Sequence, residues 1–294
     1  MKKIEEMIKK QAYELLEKNE IKCFIGYEKG QLPYHSPPVF IEKTEQVIRL
    51  VWDDFCTANL SIYLLNTVTD PEEKIGLVAK GCDSRGILRL IQDNQVNRDH
   101  LLILGVSCSG MKDASNNGAE DGIDQLPKME KCLTCTHPNP VIYDFLVGDQ
   151  VEANPLKRFD KVEEIEKLTI DDKYSYWSKE FENCIRCYAC RNVCPACSCR
   201  SCYLEQHRVG WHGKSVELSE NANYILTRAM HVAGRCIECG ECQRVCPAEL
   251  SLMTINKKII KDVNNLFGQY NAGVNLEEKQ PLCNYHSADP DDFR

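Results

Sequence analysis

The sequence predicts a mixed α+β chain, with an N-terminal α/β domain followed by a mainly helical domain. Three observations carry that reading. Between Ile75 and Val106 two apolar runs flank a helical pattern, and a strand, helix, strand succession implies a parallel pair joined by a right-handed crossover. A charged segment from 151 to 179 follows, and its Lys161-Val-Glu-Glu-Ile-Glu-Lys167 has the composition of a solvated face. From Cys184 to Cys246 cysteines then crowd the chain, with a helical spacer between them. These features divide the chain into an α/β domain at 1–150, a charged linker at 151–179, a helical cysteine-rich domain at 180–265 and a polar tail at 266–294.

Residues from Met1 to about Asn19 set Ile4, Met7, Ile8, Ala12, Leu15 and Leu16 at helical intervals, which predicts an amphipathic helix, used for packing in the favoured reading and for partner docking in the other. Pro33, Pro37 and Pro38 predict an irregular connection after it. Ser61-Ile-Tyr-Leu-Leu is apolar, but its periodicity does not separate helix from strand. Ile75–Ala79 reads as a buried strand, Gly81 to Ser84 as a turn, Arg85 to Gln92 as a helix with Ile87, Leu88 and Ile91 inward, and Leu101–Val106 as a second strand. Parallel strands bring their carboxyl ends to one edge, where open sheets bind ligands. Cys82 and Cys108 stand just past those two ends.

The strongest chemical signal is a spacing written twice. Cys184-Ile-Arg-Cys187-Tyr-Ala-Cys190-Arg-Asn-Val-Cys194-Pro195 and Cys236-Ile-Glu-Cys239-Gly-Glu-Cys242-Gln-Arg-Val-Cys246-Pro247 both follow C-x2-C-x2-C-x3-C-P, the run that holds 4Fe-4S clusters. In chains with two such runs the fourth cysteine of each ligates the other cluster. Cys184, Cys187, Cys190 and Cys246 are therefore assigned to one centre, and Cys236, Cys239, Cys242 and Cys194 to a second. Structural zinc needs only paired knuckles, and disulfides belong to small secreted domains.

Cys132-Leu-Thr-Cys135 adds a further pair. Folded onto the strand ends, Cys82, Cys108, Cys132 and Cys135 would make a third four-thiol set, for which spacing alone leaves a cluster, zinc or unligated thiols open. Cys197, Cys199 and Cys202 crowd behind the first run; shielding or replacing ligands and binding another metal stand as alternatives to the favoured reading, buried thiols that behave as small hydrophobes. Cys23, Cys56 and Cys283 are isolated. His207 and His212, flanking Trp211, are expected to be solvated rather than metal-bound.

Gly81-Cys82-Asp-Ser-Arg-Gly-Ile-Leu, Gly105-Val-Ser-Cys108-Ser-Gly-Met and Lys131-Cys132-Leu-Thr-Cys135 through Val147-Gly148-Asp149 make residues 70 to 150 resemble the beta-subunit family of deazaflavin-coenzyme-reducing hydrogenases and formate dehydrogenases. The commonest family pattern has proline and glutamine where Gly81 and Asp83 stand here. The resemblance implies an iron-sulfur flavoprotein subunit that passes electrons between a catalytic subunit and a flavin or deazaflavin. It further implies FAD as a cofactor and Cys82, Cys108, Cys132 and Cys135 as ligands of a third 4Fe-4S cluster. Residues 180 to 265 resemble the α-helical ferredoxin domains of heterodisulfide reductase and fumarate reductase iron-sulfur subunits.

Composition narrows the function classes. A net charge of −8 argues against nucleic acid as a partner. No apolar run approaches a membrane span, and Met1 to Lys10 lacks the apolar core of a signal peptide. With 18 cysteines, the expected compartment is a reducing cytoplasm. No G-x-G-x-x-G or P-loop is present, and no nucleophile constellation. The expected function is an iron-sulfur electron-transfer subunit of an anaerobic oxidoreductase complex, with partner subunits like those of formate dehydrogenase, hydrogenase or heterodisulfide reductase. Two alternatives stand beside it: a flavin-dependent oxidoreductase subunit acting on a deazaflavin or nicotinamide, and a zinc-stabilised interaction module without redox chemistry. Arg186 and Arg191 beside the first run, against Glu238 and Glu241 beside the second, predict unequal potentials.

Overall fold

The structure is a computed structural model of the whole chain; it describes residues 1–32, 34–67, 73–114, 126–153, 158–206, 208, 210, 212–287 and 289–290. Pro33, His207, Trp211 and the terminal 291–294 lie outside the described residues. The chain divides into two compact units, Met1–Arg158 with Gly273–Leu276, and Phe159–Ala272 with Glu277–Arg294.

The first unit is α/β. It runs α1 (Lys2–Glu17), β1 (Cys23–Tyr27), β2 (Pro38–Ile41), α2 (Leu64–Thr67), β3 (Ile75–Ala79), α3 (Gly81–Gln92), β4 (Leu101–Val106), α4 (Glu130–Leu133) and β5 (Phe145–Val147). Its sheet has the order β2-β1-β3-β4-β5. β1, β3, β4 and β5 are mutually parallel, and β2 closes one edge antiparallel to β1. Pro38 opens that edge strand, a position where its missing N–H costs no ladder bond. β1 and β3 are buried along their whole length, as parallel strands covered on both faces must be. α1 buries Ile8, Ala12, Leu15 and Leu16, so it is a packing helix, although Met7 is exposed.

Two local expectations are corrected. The residues expected as a turn at Gly81 to Ser84 are the first turn of α3, because Asp83 caps the helix from inside, its carboxylate accepting from the Lys80 backbone N–H at 2.8 Å. The ambiguous Ser61 to Leu65 is a 3-10 turn, Leu60–Tyr63, leading into α2.

The second unit is helical: α5 (Asp160–Glu166), α6 (Ile170–Glu182), α7 (Ala189–Asn192), α8 (Leu218–His231), α9 (Glu241–Arg244) and α10 (Leu252–Phe267). Most of the charged stretch read as a linker is helical. Thr169 caps α6 by accepting from the Asp172 N–H at 3.2 Å, Trp177 stacks on the buried Phe181 at 5.9 Å, and Glu166 of α5 pairs with Lys258 and Lys261 of α10 at 3.0 and 2.6 Å. In the stretch read as a polar tail, Tyr270 and Ala272 are buried against Ile237. Among the described residues no helix is long and apolar enough to cross a membrane.

Candidate metal centres

The two cysteine runs fold as copies of one another. In the first, Arg186 and Tyr188 have φ of +51° and +61°; in the second, Glu238 and Gly240, at the same places, have +59° and +69°. Left-handed backbone at a non-glycine residue costs on the order of 1–3 kcal/mol, and three of these four are not glycine. Repetition of that cost at matched positions marks it as a requirement of the loop. Alternating hands of backbone turn successive N–H groups into one concavity, a nest for negative charge. The N–H of Arg186 donates to the Cys184 sulfur, that of Glu238 to Cys236 and that of Glu241 to Cys239.

The last cysteine of each run lies near the first three of the other. Cys184, Cys187, Cys190 and Cys246 line one open-mouthed pocket, walled by Ile185, Tyr188, Tyr224, Ile225, Leu250 and Leu252. The Tyr224 hydroxyl is 3.1 Å from the Cys190 sulfur. Cys194 acts electrostatically on Cys236, Cys239 and Cys242, and burial, the larger cause, pushes Cys236 up to about 12 and Cys242 up to about 11. Cys194 itself is lowered, first by a hydrogen bond from Cys197 and then, against burial, by the Arg228 charge. Four thiols, apolar walls and inward amides fit an anionic iron-sulfur body. Among the described residues no three Cys, His, Asp or Glu are gathered as one metal ion would need.

The copies differ in cover. Ile185 is 61% exposed, whereas its counterpart Ile237 is 2% exposed beneath Tyr270 and Ala272. Cys187 is exposed and Cys239 is not. An iron chelator is therefore expected to strip the first set before the second, as followed by EPR of the reduced protein during chelation; equal loss rates would remove the ranking.

In the first unit the third cysteine set also draws together. Cys82 opens α3 and Cys108 follows β4, and each lies in electrostatic reach of the other or of the Cys132 and Cys135 pair. The loop carrying that pair is laced to the segment after β4: the Cys108 N–H donates to Pro138 O at 3.0 Å and the Met111 N–H to the Cys132 sulfur at 3.3 Å, while within that segment the Gly110 N–H donates to the Cys108 sulfur at 3.4 Å. Burial pushes Cys108 up to about 11, partly offset by the Lys80 charge.

Several side chains at these sites escaped sequence reasoning. Lys80 is 2% exposed and sits in a closed network, its ammonium 2.8 Å from Asp83 Oδ2 and 3.0 Å from Ala58 O, and bonded to the Tyr27 hydroxyl. The Lys80 to Asp83 spacing on a helix start was its available signal. Arg228 of α8 is 4% exposed and donates from Nη2 to Cys190 O at 3.2 Å. Burial alone would push its guanidinium down; the thiols of Cys242, Cys194, Cys190 and Cys197 carry it well above the usual arginine value. In sequence it stands three residues after Ile225 and four after Tyr224, on the inward stripe of the helical pattern.

The charges that sequence placed beside the runs are largely neutralised. Arg186 Nη1 lies 3.3 Å from Glu220, Arg191 Nη2 2.8 Å from Glu205, and the fully buried Glu241 2.7 Å from Arg244. His212 is buried rather than solvated, and Glu220 holds its Nδ1 at 3.0 Å. Of the three extra cysteines, Cys197 bonds to Cys194, Cys202 is half-buried and Cys199 is exposed, which corrects the expectation for Cys199. Cys23 and Cys56 are buried, and Cys283 is exposed.

Comparison with known proteins places a 4Fe-4S dicluster domain over residues 180–250. The F420-dependent formate dehydrogenase subunit beta of Methanocaldococcus jannaschii is 22% identical, with 92% of each chain covered. The F420-dependent formate dehydrogenase 1 subunit beta of Methanococcus maripaludis is also 22% identical, over 65% of this chain and 71% of its own.

Proposed function

We infer that this chain works as an iron-sulfur electron-transfer subunit of an oxidoreductase complex, from its similarity to formate dehydrogenase beta subunits and its match to a 4Fe-4S dicluster domain. The observation that carries the reading is the exchange of last cysteines between the two runs, Cys246 beside Cys184, Cys187 and Cys190, and Cys194 beside Cys236, Cys239 and Cys242. Iron-sulfur clusters supply one-electron storage at a potential that the surrounding protein sets.

The residues have separable parts in this. The eight thiols hold; the N–H groups of Arg186, Glu238 and Glu241 stabilise negative charge on the sulfurs; and Tyr224, Ile225, Leu250 and Leu252 keep water from the first set. Cys82, Cys108, Cys132 and Cys135 are proposed to hold a third cluster at the sheet edge. Partner subunits of the kind that formate dehydrogenases, hydrogenases or heterodisulfide reductases contain would supply and remove the electrons, and the proposed compartment is the cytoplasm. The domain limits expected from sequence stay within this proposal, with the helices from 160 to 182 added to the cluster-bearing unit.

Iron, acid-labile sulfide, zinc and flavin content of anaerobically purified protein tests the reading. About twelve irons, four for each cubane, are expected. About eight would leave the C-terminal pair alone and withdraw the third cluster. Stoichiometric FAD would favour the flavin-dependent alternative, and zinc without iron would leave a non-redox interaction module.

A further inference from the structure

We propose that Arg228 is a positioning residue shared by both C-terminal cysteine sets, a fixed buried charge that raises both reduction potentials together. The inference rests on the iron-sulfur reading above. α8 places the Arg228 side chain between the two sets. Its Nη2 donates to the backbone carbonyl of Cys190, a member of the first set, at 3.2 Å. The same guanidinium hydrogen-bonds the thiol of Cys242, a member of the second. Its Nε is buried and has no partner among the described residues.

A buried guanidinium with an unspent donor is costly unless negative charge surrounds it. The ionisable groups that act on it are thiols of both sets, Cys190 and Cys194 by name with Cys242, together with Cys197. Arginine cannot shed its proton, so the charge is permanent. Every electron added to either set increases the negative charge facing it, and a nearby cation favours the reduced form. Arg186 and Arg191 differ in that each already spends its charge on a carboxylate. Burial also removes Arg228 from the salt screening that weakens surface charges.

The test is an EPR-monitored redox titration of the full chain with Arg228→Gln and Arg228→Lys, alongside iron content. At a fixed potential Arg228→Gln is expected to lower the reduced-to-oxidised ratio of both centres at least tenfold, which is about 59 mV for one electron. Arg228→Lys, keeping the charge, is expected to stay within about threefold, and raising the salt to about 1 M should not erase the difference between the two. A shift confined to one centre, or none in iron-replete Arg228→Gln, overturns the proposal. If Arg228→Gln loses iron and Arg228→Lys retains it, the charge is supported; loss in both assigns the side chain to packing and overturns it. Wild-type protein without iron would instead refute the cluster reading itself, before any variant is compared.

Discussion

Cys194→Ala is expected to empty the site built by the second run, which starts at Cys236, and to leave the set containing Cys184, Cys187 and Cys190 loaded. Cys194 is next in sequence to the first set but acts on Cys236, Cys239 and Cys242. With three thiols left, Cys197, which bonds to Cys194 in the parent, is the neighbouring thiol placed to substitute for it. The expected readings are a loss of about four irons and disappearance of one EPR signal. Loss of the signal of the first set alone would refute the exchange of ligands. Cys246→Ala should give the mirror result. Cys194→Ala with Cys197→Ala then separates rescue by Cys197 from retention by the original set: iron kept by the single variant and lost by the double one identifies Cys197 as the substitute.

Local patterns carried most of what the sequence made legible. The duplicated run could be read because its ligands lie within a few residues of each other, and β3, α3 and β4 because period and burial agree there. Arg228 was not legible: helical spacing sets it on the inward stripe with Tyr224 and Ile225, but the groups it meets there lie on two loops distant in sequence. The same reason hid Lys80, whose burial depends on Asp83, Tyr27 and Ala58 closing around it. The left-handed backbone at Arg186, Tyr188 and Glu238 had no glycine to announce it. The charged stretch before Cys184 misled because its helices show many charges to solvent while a few residues, Val162 and Phe181, anchor them.

Gly81→Ala is expected to dismantle the third cysteine set while sparing the other two. In an ordinary helix the exchange would stabilise by about 1 kcal/mol. Here an added Cβ would stand 1.9 Å from the carbonyl oxygen of His137 and 3.0 Å from that of Asn139. Both contacts are backbone, so no side-chain rotation relieves them. The segment that must retreat follows Cys132 and Cys135 and is bonded to Cys108 through Pro138. Overpacking of this kind costs on the order of 1–3 kcal/mol or more, and a loss of about 2 kcal/mol would lower the Tm by about 4–8 °C for a unit of this size. Thermal unfolding therefore tests the packing and iron content tests the ligand set. A variant with parental Tm would show that the loop yields freely, and one that keeps about twelve irons would show that Cys132 and Cys135 need no close approach to α3. A lower Tm with about four irons lost is the expected pair of results, since the cysteines at the sheet edge are held together by backbone contact before any ligand joins them.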